Sequence, residues 1–312
     1  MTASCQVELM ARTRFPADRG LASRMVVTMF LLGLLYVVFV AIIIALGTSA
    51  IVALLLAGGL LAVQYFTSDR IALAAMGAKV VSRKQAPELH AVVDRLCAMA
   101  DMPKPRVAIA DADMPNAFAT GRSPDHSVVC VTTGMLRRLD EPELEAVLAH
   151  ELSHVAHRDV AVMTIASFLG LAAALVVRFA FYAGLFGGMG RRGNQQGPPV
   201  VLVIMLVSAV VYGVSFLLTR ALSRYRELSA DRAAATVTGR PSTLAAALVK
   251  VSGEMSKIPT RDLRTAEPLN AFFFTPALAN GFSLSSLFST HPPLQRRLDQ
   301  LARIEAESGP AT

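Results

Sequence analysis

The chain has 312 residues, of which 54% are hydrophobic and only 17% are charged. Its mean hydropathy of +0.49 is too high for an ordinary soluble protein and indicates membrane-embedded segments. The formal net charge is +7, but no cluster of basic and aromatic residues accompanies it, so we expect no nucleic-acid partner. The three cysteines form no C-x-x-C pair, which predicts free thiols in a reducing compartment.

Two apolar runs follow a basic N-terminal segment. Residues 1–24 are polar and basic and are predicted to form a flexible cytoplasmic tail. Residues 25–46 and 50–66 carry no charge, and each run approaches the ~20 residues that a membrane-spanning helix needs. Basic residues flank the ends of this pair and not its tip. We therefore predict a transmembrane hairpin over 25–66 with both ends in the cytoplasm.

The region 67–159 is more polar and is predicted to be the first half of a catalytic domain. Apolar periodicity predicts a helix over 87–99, and a short apolar run predicts a strand over 106–110. The turn sequence Gly-Arg-Ser-Pro-Asp at 121–125 lies between two strand-like segments. This arrangement predicts a β-hairpin over 117–133.

The sequence His-Glu-Leu-Ser-His at residues 150–154 carries the clearest chemical signal. It lies in a predicted helix that Asp140 would cap and whose first turn is rich in glutamate. On a helix, His150 and His154 share one face, a spacing that suits two nitrogen ligands of one zinc ion. Glu151 lies beside the first ligand, where it can hold and activate the zinc-bound water without ligating the metal.

A second apolar pair interrupts the predicted catalytic domain. Residues 160–219 contain two apolar runs, predicted as two further transmembrane helices, and the domain resumes over 220–312. A re-entrant pair is the alternative. Arg178 within a span costs roughly 2.5–3.5 kcal/mol, and Arg191 and Arg192 would lie on the non-cytoplasmic side.

A catalytic zinc ion usually has three protein ligands and one open position, so a third ligand is needed. The candidates for it are His157, Asp159, Glu227, Asp231 and His291. His157 is disfavoured because one helix rarely supplies three ligands to one ion. Glu227 and Asp231 lie four residues apart on a predicted helix, where one could bind metal and the other could orient a histidine. Exposed ion pairs with neighbouring arginines explain them equally well, so the residues alone leave the choice open.

Four motifs together resemble the HtpX-type membrane zinc metallopeptidases, which are distant relatives of the CaaX prenyl protease. They are His-Glu-Leu-Ser-His at 150–154, Asn-Ala-Phe-Ala-Thr-Gly at 116–121, Glu-Leu-Ser-Ala-Asp at 227–231 and His-Pro-Pro at 291–293. The resemblance covers roughly 25–305 and includes the apolar pair between the first and third of these motifs. It implies one zinc ion per chain, with Glu227 as the third ligand and Asp231 orienting a ligand histidine.

The resemblance also implies substrate-facing catalytic roles for Asn116, His291 and Arg297. A tetrahedral oxyanion needs a donor besides the metal, and each of these side chains can supply one. Their ordinary structural alternatives are a turn residue for Asn116, a helix-capping residue for His291 and a solvated charge for Arg297.

The sequence and the resemblance together predict a mainly α integral membrane protein. It would have four transmembrane helices and a cytoplasmic α+β zincin-type catalytic domain with a small β-hairpin or sheet. The implied function is a zinc metalloendopeptidase of the inner or plasma membrane that hydrolyses misfolded or unassembled membrane proteins during stress. Its partners would be protein or peptide substrates and the bilayer, and homo-oligomerisation is left open. The alternative is an inactive zinc-binding relative that acts as a binding protein; a transporter is disfavoured because the apolar runs contain one isolated charge.

Overall fold

The computed structural model describes residues 15–45, 50–187, 198–257 and 292–308. His291 and the arginine-containing loop between the two later apolar runs lie outside the described residues. The helices are α1 (Arg19–Ala45), α2 (Ala50–Ala75), α3 (Pro87–Ala100), α4 (Thr133–Arg138), α5 (Glu141–Ala156), α6 (Asp159–Gly187), α7 (Pro198–Thr238), α8 (Pro241–Lys257) and α9 (Leu294–Ser308). The strands are β1 (Ala78–Val80), β2 (Arg106–Ala110), β3 (Ala117–Ser123) and β4 (His126–Thr132).

The chain divides into two compact units. The first unit comprises Met1–Leu21, Ser68–Val160 and Ser223–Thr312, and the second comprises Ala22–Thr67 and Ala161–Leu222. The first unit is thus assembled from three separate stretches of sequence. It contains the sheet and a core in which side chains of α3, α5, α8 and α9 pack together.

The second unit is helical and apolar. Within the described residues, three helical segments are long and apolar enough to cross a membrane: Arg19–Ala45, Asp159–Val176 and Leu202–Thr238. The predicted span at 50–66 lies within α2 and stays a prediction. Small side chains let α6 and α7 approach closely, since a Cβ added to Gly170 would lie 3.9 Å from the Cβ of Ser215.

The four strands form one mixed sheet in the order β1-β2-β4-β3. β2 and β4 are parallel, and the other two pairs are antiparallel. β3 and β4 form the predicted hairpin, whose register shifts between Gly121 and Ser123. Gly121 has φ +143, and an added Cβ would meet the backbone of His126, so glycine is required at this bulge. Among the strands of the described residues, β3 lies at the end of the sheet and pairs only with β4.

The helix α5 begins with the reciprocal bonds of a capping box. The Asp140 carboxylate accepts from the Glu143 N–H at 2.9 Å, and the Glu143 carboxylate accepts from the Asp140 N–H at 3.1 Å. Apolar side chains of α5, including Val147, Leu148 and Leu152, are fully buried in the core of the first unit. This packing fixes the helix while its histidine-bearing face points elsewhere.

The structure differs from the sequence-based expectation before the first apolar segment and after the last one. α1 begins at Arg19, and Phe15 is buried in the core of the first unit, so residues 15–24 are not a flexible tail. The reason is a cap: Asp18 accepts from the Leu21 N–H at 2.8 Å and from the Ser229 hydroxyl at 2.7 Å. α7 is one helix of 41 residues, in which the apolar segment continues without a break into the stretch that contains Glu227.

Candidate metal centre

Helices α5 and α7 bring three potential metal ligands together in the first unit. His150, His154 and Glu227 are buried, and the two imidazole centroids are 4.9 Å apart. The Nε2 atom of His150 lies 3.6 Å from Glu227 Oε2, and the Nε2 atom of His154 lies 3.6 Å from Glu227 Oε1. One ligand atom from each residue lies within 4.8 Å of the others, so the three could hold a metal ion.

The opposite nitrogen of each imidazole faces a buried aspartate. His150 Nδ1 lies 2.9 Å from Asp231 Oδ1, and His154 Nδ1 lies 2.9 Å from Asp159 Oδ2. A carboxylate at this distance favours a hydrogen on Nδ1, which leaves the lone pair on Nε2. Both lone pairs then point towards Glu227, as two ligands of one ion require.

Each of these aspartates also forms an ion pair with an arginine. Arg297 from α9 contacts both oxygens of Asp231, with Nε 2.7 Å from Oδ2 and Nη2 2.6 Å from Oδ1. Arg226 from α7 approaches Asp159 with Nε 3.2 Å from Oδ2, the distance of an ion pair. The site therefore has two arms. The first arm is His150–Asp231–Arg297, and the second arm is His154–Asp159–Arg226.

The charges of the site favour a divalent cation. Among the described residues, four buried carboxylates face two guanidiniums, so with neutral histidines the carboxylates exceed these cations by two charges. The carboxylates are those of Glu151, Asp159, Glu227 and Asp231, and the guanidiniums are those of Arg226 and Arg297. Uncompensated buried charge is costly, and a cation between the imidazoles would offset it. Burial lowers the pKa of His150, but hydrogen bonds that its ring donates to the carboxylates of Asp231 and Glu227 outweigh burial and raise that pKa to about 9, so these carboxylates favour positive charge. The residues present therefore fit a divalent metal.

Glu151 lies beside this ligand set without belonging to it. Its side chain is buried, and Oε2 accepts from the Ala119 N–H of the edge strand β3 at 3.0 Å. Burial raises the pKa of Glu151, while the two neighbouring histidines oppose this shift. A carboxylate of raised pKa, fixed by a backbone N–H, is suited to accepting a proton near neutral pH.

The other predicted site residues occupy different surroundings. Asn116 is buried at the start of β3, where its backbone N–H donates to Thr132 Oγ1 and its carbonyl accepts from the Thr132 N–H, both at 2.9 Å. Arg297 is buried against Asp231 and is not a solvated charge. The predicted contact of each with substrate stays a prediction, as does that of His291.

Sequence reasoning considered Arg226 only as a possible surface ion-pair partner of Glu227 or Asp231, and Asp159 only as a third ligand. Asp159 follows His154 by five residues, just beyond the end of α5 at Ala156. The carboxylate of a residue just after the C-terminus of a helix can fold back onto the last turn of that helix. That position was the available signal.

Comparison with known proteins decides the family. The sequence profile of the family described as Peptidase family M48 matches residues 83–305 of this chain. The chain belongs to peptidase family M48. It is 62% identical over 300 residues to "Protease HtpX homolog 1" of Streptomyces coelicolor, covering 96% of this chain and 98% of that protein. It is 54% identical to "Protease HtpX homolog" of Moorella thermoacetica, covering 95% and 98%.

The structural comparison agrees with this family at the level of the fold. The crystal structure of S. mikatae Ste24p shares 18% sequence identity and a TM-score of 0.53, covering 91% of this chain and 67% of that one. The resemblance to HtpX-type proteases is confirmed. Together with its apolar helices, membership of M48 makes the chain a membrane metalloprotease.

Proposed function

We propose that this M48 protease is a zinc-dependent endopeptidase with one ion per chain, held by His150, His154 and Glu227. The observation that carries the proposal is the pair of Nε2 atoms, each 3.6 Å from a different oxygen of Glu227. Two imidazoles and one carboxylate suit zinc and leave a coordination position open. When bound, zinc would lower the pKa of a water molecule and polarise the scissile carbonyl.

Glu151 is the proposed proton carrier of the reaction. Its carboxylate takes a proton from the attacking water and returns it to the leaving amine. The Ala119 N–H holds Oε2, so the carboxylate is positioned by the sheet rather than free to rotate. A purely structural metal site has no use for a buried carboxylate at this place, which argues against an inactive relative.

The edge strand β3 is the proposed binding surface for the peptide. An extended substrate can add to a sheet edge by main-chain hydrogen bonds, which read side chains weakly and permit broad specificity. Asn116 and His291 are proposed as donors to the developing oxyanion. Arg297 is proposed to act through its positive charge, because it pairs with Asp231 and also interacts electrostatically with Glu227 and Glu151.

The proposed location is the cytoplasmic face of the plasma membrane, with four membrane-spanning helices. Basic residues flank the apolar segments at Arg24, Arg70, Lys79, Arg220 and Arg224, as the positive-inside rule requires for this orientation. The catalytic domain would then consist of 67–159 and 220–312 on one side of the bilayer. Misfolded or unassembled membrane proteins would present their unfolded segments to such a site, which suits a role in quality control.

Two variants of the detergent-purified protein test the proposed reaction, with casein as substrate and zinc content measured by mass spectrometry. Glu151→Gln should retain one zinc ion per chain and lose cleavage, whereas Glu227→Ala should lose both. Glu145→Gln is the matched control, because Glu145 lies on the same helix but pairs with Arg95 at 2.8 Å. Undiminished cleavage by Glu151→Gln would reject the mechanism, and zinc binding by a wild type that cleaves nothing would favour the inactive relative.

A further inference from the structure

The second arm contains a buried carboxylate that the proposed reaction does not use. Asp159 is fully buried, and its Oδ2 atom lies 2.9 Å from His154 Nδ1. Among the described residues, Asp159 Oδ1 accepts no hydrogen bond. Although Asp159 begins α6, its carboxylate contacts His154 and Arg226. Its carboxylate is therefore directed at the metal centre rather than at capping its own helix.

The backbone between α5 and α6 turns sharply to place this carboxylate. The His157 N–H donates to the Ser153 carbonyl at 2.9 Å, and the Arg158 N–H donates to the Val155 carbonyl at 3.1 Å. Arg158 then adopts φ +56, a left-handed conformation that is uncommon for a residue other than glycine. This residue lies between the end of α5 at Ala156 and the start of α6 at Asp159, and its left-handed backbone turns the chain so that Asp159 lies beside His154. Backbone strain of this kind often persists where a side chain must be aimed.

Arg226 forms an ion pair with the same carboxylate. It lies on α7 immediately before Glu227, and its Nε atom is 3.2 Å from Asp159 Oδ2. His154 and Arg226 therefore share one oxygen of Asp159. A negative charge that is fixed in this way keeps its hydrogen-bond acceptor in front of Nδ1, and it links α5, α6 and α7 at the metal centre.

We propose that Asp159, held by Arg226, is the positioning residue of His154, and that it sets the tautomer and ring orientation with which His154 binds the metal. The proposal rests on the zinc site described under Proposed function, since it concerns how one of those ligands is oriented. An aspartate that orients a ligand histidine raises the metal affinity, and its loss typically costs 10- to 100-fold. Asp159 would thus do for His154 what Asp231 does for His150.

Zinc affinity of the full-length purified protein, measured by competition with a chelator, tests the proposal. Asp159→Ala should bind zinc about 10- to 100-fold more weakly. Asp159→Asn should lose less, because its amide oxygen can still accept from Nδ1–H. Asp69→Ala is the matched control, since Asp69 is a partly buried carboxylate that pairs with Arg106 at 2.7 Å.

Two further readouts separate positioning from a merely structural role. The rise in melting temperature on zinc addition should be smaller in Asp159→Ala than in wild type, and the visible spectrum of the Co²⁺-loaded protein should change. A variant that melts lower with and without zinc by the same amount, with unchanged affinity, would overturn the proposal. If Asp159→Ala fails to fold, the near-isosteric Asp159→Asn decides by the same measurements.

The outcomes also distinguish this inference from the proposed function. A wild type that binds no zinc or cleaves no casein would reject the function itself. A wild type that does both, beside Asp159 variants with unchanged zinc affinity and Co²⁺ spectrum, would reject only the role of Asp159.

Discussion

The two arms of the metal centre have the same chemistry but different structural settings. The first arm joins α5, α7 and α9, with Asp231 0% and Arg297 2% exposed, and its ion pair makes two short contacts. The second arm lies at the junction of α5 and α6, and its Arg226 is 14% exposed and makes a single longer contact. The same sequence of histidine, aspartate and arginine thus ends once in a fully buried arginine and once in an arginine that is partly exposed.

This difference suggests that the arms contribute differently to folding and to metal binding. A fully buried ion pair that loses one partner leaves an uncompensated charge, which costs about 3–5 kcal/mol. Arg297 also connects α9 to α7, so the first arm is part of the fold. Water can solvate Arg226 when its partner is lost, so damage to the second arm should appear mainly as weaker metal binding.

The largest effect is expected from breaking the first arm. Asp231→Ala leaves Arg297 buried without its partner and should lower the free energy of unfolding of the chelated protein by about 3–5 kcal/mol. Thermal unfolding in detergent measures this loss. The double variant Asp231→Ala/Arg297→Met should recover part of it, because both charges are then absent. Losses that simply add in the double variant would contradict the buried-pair interpretation.

A smaller effect is expected from breaking the second arm. Arg226→Ala removes one partner of Asp159, but His154 Nδ1 stays 2.9 Å from the same oxygen, so the chelated protein should lose about 1–3 kcal/mol, less than Asp231→Ala does. The same thermal unfolding experiment ranks the two variants. A loss for Arg226→Ala that equals or exceeds that of Asp231→Ala would show that the two arms do not differ as described.

A third substitution tests whether a change that disturbs α7 outside the two arms also weakens zinc binding. Asp18 accepts from the hydroxyl of Ser229, which lies on α7 between Glu227 and Asp231. Asp18→Ala removes this contact and the cap of α1, so it should cost about 1 kcal/mol of stability. Zinc affinity should stay at the wild-type value. A clear loss of zinc affinity would mean that the position of α7, and not the arms alone, controls the site.

The smallest effect is expected at the turn of the second arm. Arg158→Gly permits the same left-handed backbone without strain but makes the unfolded chain more flexible, so the stability should change by less than about 1 kcal/mol. Because Asp159 keeps its place, zinc affinity should not change. Chelator competition beside thermal unfolding checks both expectations, and a weakened site would show that the Arg158 side chain itself contributes.

Local features of the fold could be predicted from the sequence because their causes are local. The capping box at Asp140, the hairpin around Gly121 and the shared face of His150 and His154 all follow from residues a few positions apart. The start of α1 was also open to prediction, since Asp18 is an acceptable cap directly before it. The long uncharged run from residue 25 outweighed that signal.

The features that the sequence did not predict depend on contacts between residues far apart in the chain or on an unusual backbone conformation. The buried pair of Arg297 and Asp231 joins residues 66 positions apart, and the bond from Ser229 to Asp18 spans 211 positions. No periodicity reports such pairs: the four-residue spacing from Glu227 offered Asp231 as a metal ligand or as a residue that orients a histidine, but not as the partner of Arg297. The left-handed Arg158 carries no sequence signal of its own, so the position of Asp159 just after α5 allowed a contact with His154 but did not specify it.

Back-titration of the chelated wild-type protein with zinc tests most directly whether one ion between α5 and α7 is responsible for peptide hydrolysis. Casein cleavage should be absent after chelation, rise with added zinc and level off at one ion per chain. Glu151→Gln, titrated in parallel, should bind the same amount of zinc without cleaving. Cleavage that persists in the chelated protein, or that needs no zinc to return, would contradict the account.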